Sequence, residues 1–229
     1  MRIFVNGLTI TRIIGTLILP ILWIYLDPKV LLSIVFLILI TDFFDGFLAR
    51  RFNVQSLFGS LLDVIADKAF GVMMLIIIGN YEPIFYLLAL MEICIALINV
   101  VAAIKGATTI SSFLGKTKMW LLGASTILAL LAIFDIQIYQ ALSAGNVKAL
   151  LTNFMNNEGT IILTTASITV GAQFMVALDY TKHIIKELKN KKTKIKYNFK
   201  DDKELKYVLF DTEYYLKNKK LPLSKHLLK

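Results

Sequence analysis

One cysteine, Cys94, stands among 229 residues, so no internal disulfide can form and the chain carries no mark of its redox compartment. Histidine is nearly as scarce: His183 and His226 are the only two, both fall in a basic C-terminal stretch, and their spacing matches no metal site. Charged residues make up only 18% of the chain against 57% hydrophobic ones, which excludes one or two ordinary soluble domains and points to a polytopic membrane protein. A small-residue cleavage site is missing from residues 1–26, whose apolar run is long enough to stay as a membrane helix; a cleavable signal peptide is not expected. Internal repeats are missing too.

The charge that is present is unevenly placed. Residues 1–181 hold 10 Lys+Arg and 10 Asp+Glu, whereas residues 182–229 hold 15 and 6, so the C-terminal stretch carries the whole surplus. A basic segment next to a membrane span favours anionic lipid headgroups, not nucleic acid. The expected organisation is a membrane domain over residues 1–185 and a basic cytoplasmic tail over 186–229. Within the tail, Tyr207, Phe210, Tyr214 and Tyr215 lie among charges, a pattern that suits a small interfacial helix.

Apolar runs place six spans, near residues 8–26, 30–49, 57–79, 84–104, 119–134 and 159–180, with a polar connector over 135–157. With the N-terminus inside, the inner segments hold Arg2, Arg50, Arg51, Lys105, Lys116, Lys118 and the tail, while the outer turns hold only Lys29 and Lys148. That asymmetry obeys the positive-inside rule and puts both termini in the cytoplasm. The fold expected is therefore an all-α polytopic membrane protein of six transmembrane helices.

Where the second span ends and the third begins, four aspartates interrupt the apolar pattern: Asp42-x2-Asp45-Gly46-x2-Ala49-Arg50-x8-Gly59-x3-Asp63-x3-Asp67. On helices the pairs are i,i+3 and i,i+4, so each pair shares a face. A turn near Asn53 would bring the two faces together as a four-carboxylate cluster at the membrane boundary. Like charges this close would force some acids to hold protons unless cations intervene. Oxygen ligands without His or Cys suit Mg²⁺, Mn²⁺ or Ca²⁺ and argue against zinc. Capping helices or pairing with Arg50, Arg51 and Lys68 is the plainer alternative, but ionisable groups bordering a span are costly and usually functional.

This spacing resembles, position for position, the signature of the CDP-alcohol phosphotransferase family, membrane enzymes that move a phosphoryl-linked group from a CDP-activated donor to an acceptor alcohol. The resemblance implies a cytoplasmic-face active site between helices 2 and 3, with two Mg²⁺ or Mn²⁺ ions held by Asp42, Asp45, Asp63 and Asp67. Asp67 would also be the general base. Gly46, Ala49, Arg50 and Gly59 would bind CDP. Arg12, one turn inside the first span, either snorkels to the headgroups or faces the acids and a phosphate. The stretch Leu8-Thr9-x2-Arg12 is similar to that of phospholipid-forming members, and Ser112-x2-Gly115-Lys116-x-Lys118 is similar to an element of phosphatidylglycerophosphate synthases.

The expected reaction moves a phosphatidyl group from CDP-diacylglycerol to glycerol 3-phosphate, whose phosphate would meet Arg12, Arg51, Lys105, Ser112, Lys116 and Lys118. Met91-Glu92 departs from the Arg-Glu pair usual in such synthases, which keeps a cardiolipin synthase or an inositol-phosphate transferase open as alternatives. Glu92 itself is an intramembrane acid, functional or hydrogen-bonded between helices. A membrane cation transporter is the reading from another class. The resemblance further implies a homodimer in the bacterial cytoplasmic membrane, in contact with membrane lipid.

Overall fold

The computed structural model describes residues 2–26, 28–104, 113–133, 145–190 and 202–218. Lys105, Ser112, His226 and residues 135–144 of the expected 135–157 connector lie outside the described residues. Every regular element among the described residues is an α-helix: α1 Arg2–Tyr25, α2 Pro28–Arg51, α3 Leu57–Gly79, α4 Ile84–Ile104, α5 Phe113–Ile133, α6 Gly145–Asn190, α7 Asp202–Phe210 and α8 Thr212–Asn218.

Burial along these helices inverts the pattern of a water-soluble protein. On α1 the inward stripe is Val5, Thr9, Arg12, Thr16 and Leu19, spaced four and three apart, while Phe4, Ile10, Ile14, Leu17, Ile21 and Ile24 face outward. On α6 the buried stripe includes Ile162, Ala166, Thr169, Gln173 and Val176, with Leu163, Ile168, Phe174, Met175 and Leu178 exposed. Polar groups face inward and large apolar ones outward because the surrounding solvent is hydrocarbon. By length and composition four helical segments suffice to cross a membrane: Phe4–Tyr25, Ile84–Ile104, Leu114–Ile133 and Asn157–Lys186. The chain is an integral membrane protein with these four apolar helices; the other two expected spans, α2 and α3, are the ones that carry the aspartates.

Two compact units divide the chain. The first comprises Met1–Met73, Val101–Thr109 and Lys186–Lys229; the second comprises Met74–Val100 and Ile110–Ile185. In the first, α1 packs along α2. The α2–α3 connection is built from local chemistry. Asn53 N–H donates to Arg50 O (3.3 Å) and Val54 N–H to Ala49 O (3.1 Å), with Asn53 at φ 50°, a Schellman ending in which asparagine tolerates the left-handed conformation. Two residues on, Ser56 caps α3: its Oγ accepts from Gly59 N–H (3.1 Å) and its carbonyl from Ser60 N–H (3.0 Å). The turn is thus fixed from both sides, which sets the register of one acid pair against the other.

The expected tail contains structure of its own. Phe210, ending α7, packs on Phe58 of α3 with ring centroids 5.1 Å apart. Asp211 then caps α8, accepting from Tyr214 N–H at 2.7 Å. These residues belong to the same compact unit as α1 and α2.

The expected connector-then-span layout gives way to a single helix, α6, whose 46 residues run through Gly159 without a break and lie in the second unit as far as Ile185. That is more than twice the about 20 residues needed to cross hydrocarbon. Its inward face carries polar contacts: Ser125 Oγ and Thr169 Oγ1 lie 3.3 Å apart, and Gln173 Nε2 donates to Leu88 O (3.3 Å) and Glu92 Oε1 (3.1 Å). Gly79, before the turn into α4, is pressed by the Tyr86 ring so closely that a Cβ would sit 2.9 Å from it.

Candidate functional site

The site lies in the first unit and is built on α1, α2 and α3. Asp42, Asp63 and Asp67 present carboxylate oxygens that all lie within 4.8 Å of one another. Asp45 does not join them. Three residues along a helix correspond to 300°, so Asp45 is turned about 60° away from Asp42. It is buried against α1, where its Oδ2 accepts the Thr9 hydroxyl at 2.9 Å. The four acids expected in one cluster are therefore arranged as three together and one beside them.

Arg12 occupies the centre. Its Nη1 contacts Asp42 Oδ1 and lies 3.5 Å from Asp67 Oδ1, while its Nη2 donates to Asp63 Oδ1 at 2.9 Å. The arginine does not snorkel outward: its side chain is 3% exposed, against 42%, 51% and 63% for Asp42, Asp63 and Asp67. A guanidinium carries several donors on one plane, which lets one cation bridge three carboxylates. Its Nε has no hydrogen-bond partner among the described residues, nor does the buried Thr16 Oγ1 one turn further along α1.

One positive charge against three negative ones leaves an uncompensated surplus in a half-buried place. The donor set is all oxygen, and the acids open outward. Asp42, Asp63 and Asp67 therefore fit a hard divalent cation of the magnesium type.

Beside the acids a cleft of about 160 Å³ opens, with Asp45 and Asp63 on its wall. Gly46, Ala49, Arg50 and Gly59 all line it, together with Asn6, Gln55, Ser56 and Tyr215. Gly59 is held small by crowding, since a Cβ there would lie 3.2 Å from Asn6 Oδ1 and 3.3 Å from Ser56 Oγ. Gly46 leaves room under the Arg50 guanidinium, whose nitrogens would be 3.7–3.8 Å from an added Cβ. Tyr215 came from no motif; its distance along the chain from α2 hid it, and the aromatic run in the tail was the only signal.

Among the other expected phosphate contacts, Arg51 and Lys116 are exposed, and Arg51 lies 5.8 Å over the Phe47 ring. Lys118 is placed differently. In the second unit it is 3% exposed and its Nζ is paired with Glu92 Oε1, which also accepts from Gln173. Two positions along α5 separate Lys116 from Lys118 and turn them to opposite sides, so the expected pair of phosphate-holding lysines is split. A buried ammonium needs a buried counter-charge, and Glu92 supplies it.

The family model described as CDP-alcohol phosphatidyltransferase matches residues 2–154. The chain is similar to proteins named CDP-diacylglycerol--glycerol-3-phosphate 3-phosphatidyltransferase. The relative from Rickettsia bellii is 34% identical over 124 residues, 51% of this chain and 68% of that protein. The relative from Cereibacter sphaeroides is 39% identical over 81 residues, 34% of this chain and 37% of that protein. The one from Blochmanniella floridana is 44% identical over 64 residues, 28% of this chain and 34% of that protein. The chain thus spans little more than a third of the length of the latter two. No solved structure matches it.

Proposed function

The chain belongs to the CDP-alcohol phosphatidyltransferase family, and from that premise we propose that it transfers a phosphatidyl group from CDP-diacylglycerol to glycerol 3-phosphate, releasing CMP. What carries the proposal is that the acid triad and the small-residue cleft, the two halves of the family spacing, share one wall through Asp63. The transporter reading finds no support beside this membership, and it is set aside.

In the proposed reaction the acceptor hydroxyl attacks the phosphorus that bears the lipid, the bond from that phosphorus to the CMP oxygen breaks, and the hydroxyl proton passes to Asp67. Asp42, Asp63 and Asp67 would hold a divalent ion, and Asp45, on the cleft side, is the acid that would serve a second one. Bound there, Mg²⁺ or Mn²⁺ supplies neutralisation of the charge that grows on the phosphate oxygens. Gly46, Ala49 and Gly59 let the donor's diphosphate approach backbone closely, and Arg50 pairs with it. Arg12 bridges the three acids and holds them together. A guanidinium freed from any one of them has a donor for phosphate. Arg51 and Lys116, both exposed cations, are each suited to the acceptor's phosphate, whereas Lys118 is committed to Glu92.

The names of the relatives support glycerol 3-phosphate as the acceptor. Cardiolipin-type or inositol-phosphate acceptors remain the alternatives because Met91 stands where phosphatidylglycerophosphate synthases usually have arginine. We further read α2 and α3 as spans, six in all, with the acids at the cytoplasmic face, and the working form as a homodimer in a bacterial cytoplasmic membrane. The test is to supply purified protein with CDP-diacylglycerol and a panel of labelled acceptors. Label entering lipid from glycerol 3-phosphate alone is expected; incorporation only from phosphatidylglycerol or an inositol phosphate would overturn the choice of acceptor.

A further inference from the structure

We infer that Tyr215, carried on the C-terminal helix α8, is a substrate-contacting residue whose ring forms the wall against which the pyrimidine base of the donor lies. The inference rests on the proposed function and adds a residue outside the 2–154 segment that the family model covers.

Three observations lead to it. First, Tyr215 lines the same cleft as Asp45, Gly46, Arg50 and Gly59, although more than 150 positions separate it from them in the chain. Second, it is held there. Phe210 packs on Phe58 of α3 at 5.1 Å, Tyr207 meets Tyr214 edge-on at 5.8 Å, and Asp211 caps α8 through both its side chain and its carbonyl, the latter accepting from Tyr215 N–H at 3.2 Å. The α7–α8 pair is therefore docked on the first unit through an aromatic contact with the helix that bears Asp63. Third, among the described residues Tyr215 is the single aromatic on a cleft otherwise walled by Arg50, acids, amides, hydroxyls, small residues and aliphatics.

The chemistry of the donor divides in the same way. Its diphosphate calls for cations and close backbone, which the Gly46, Arg50 and Gly59 side supplies. A flat base calls for a flat partner, and an aromatic ring accepts one with little demand on hydrogen-bond geometry. The lipid chains need neither and remain in the hydrocarbon. A cytidine end turned towards Tyr215 is the orientation that satisfies both ends at once.

The full chain, purified in detergent with Mg²⁺, is titrated with CMP as wild type, Tyr215→Phe and Tyr215→Ala. Tyr215→Phe is expected to bind nearly as the wild type, and Tyr215→Ala to lose on the order of tenfold in affinity, the scale of a base–aromatic contact. In turnover the alanine variant should raise KM for CDP-diacylglycerol while KM for the acceptor and the thermal midpoint stay put; a fall in the midpoint with both KM values moving together would instead mean a packing role and overturn the inference. Tyr215→Ala binding CMP as tightly as the wild type would overturn it as well, leaving the functional reading intact. A wild type that binds no cytidine nucleotide would overturn the functional reading itself.

Discussion

At the scale of single residues, the arrangement turns on Arg12 serving three acids. Replacing it by glutamine removes the counter-charge that bridges the three neighbouring carboxylates. In metal-free buffer Arg12→Gln should lose about 1–3 kcal/mol, less than the about 3–5 kcal/mol of a fully buried pair because the acids are half open to solvent. Adding Mg²⁺ should restore more of the thermal midpoint in the variant than it adds to the wild type. Equal Mg²⁺ responses in calorimetric scans would contradict the counter-charge role. The acids themselves separate by function: Asp67→Asn should cut turnover on the order of 10²-fold, the usual loss of a general base, with Mn²⁺ binding retained on Asp42 and Asp63. Full turnover in that variant, measured as CMP release, would refute the base assignment.

At the scale of elements, the contrast is between contacts written locally and contacts made across the chain. The aspartate spacing and the turn near Asn53 could be read from the sequence because a helix face, a Schellman ending and a serine cap each depend on residues within five positions of one another. Lys118 could not be placed that way. Whether it faced a phosphate or a protein acid depended on where α4 and α6 brought Glu92 and Gln173, 26 positions before it and 55 after. The pairing has a measurable signature. Glu92→Leu leaves Lys118 charged and enclosed and should destabilise by about 3–5 kcal/mol, while Glu92→Leu with Lys118→Met should recover most of that, since paired removal is often neutral. A double variant no more stable than the single one, in thermal unfolding, would show that the two side chains do not depend on each other.

At the scale of the whole molecule, the apolar exterior and polar inward stripes agree with the composition, and the all-helical class was legible from it. A small helix among the aromatics of residues 207–215 was legible as well, but its docking was not, because a basic composition describes how a segment meets lipid and says nothing about a phenylalanine that finds Phe58. Likewise nothing near Gly159 announced that α6 would continue through it: Asn156, Asn157 and Glu158 before it read as a polar connector, and a glycine costs a helix only about 1 kcal/mol, which a long helix absorbs. The six-span, termini-inside reading makes a direct prediction. In a Cys94→Ala background, a cysteine placed at Tyr81 should react with an impermeant thiol reagent from outside intact cells, and one placed at Lys217 should react only after the cells are opened; the reverse pattern would invert the topology. The central claim, that these aspartates bind divalent cations beside a cleft where a diphosphate is broken, is tested most directly by measuring CMP release from CDP-diacylglycerol. With purified chain and glycerol 3-phosphate, release should require Mg²⁺ or Mn²⁺, stop on chelation, return on adding the metal back, and fall at least about 10²-fold in Asp63→Asn. Release that continues undiminished in excess chelator, or in Asp63→Asn, would contradict it.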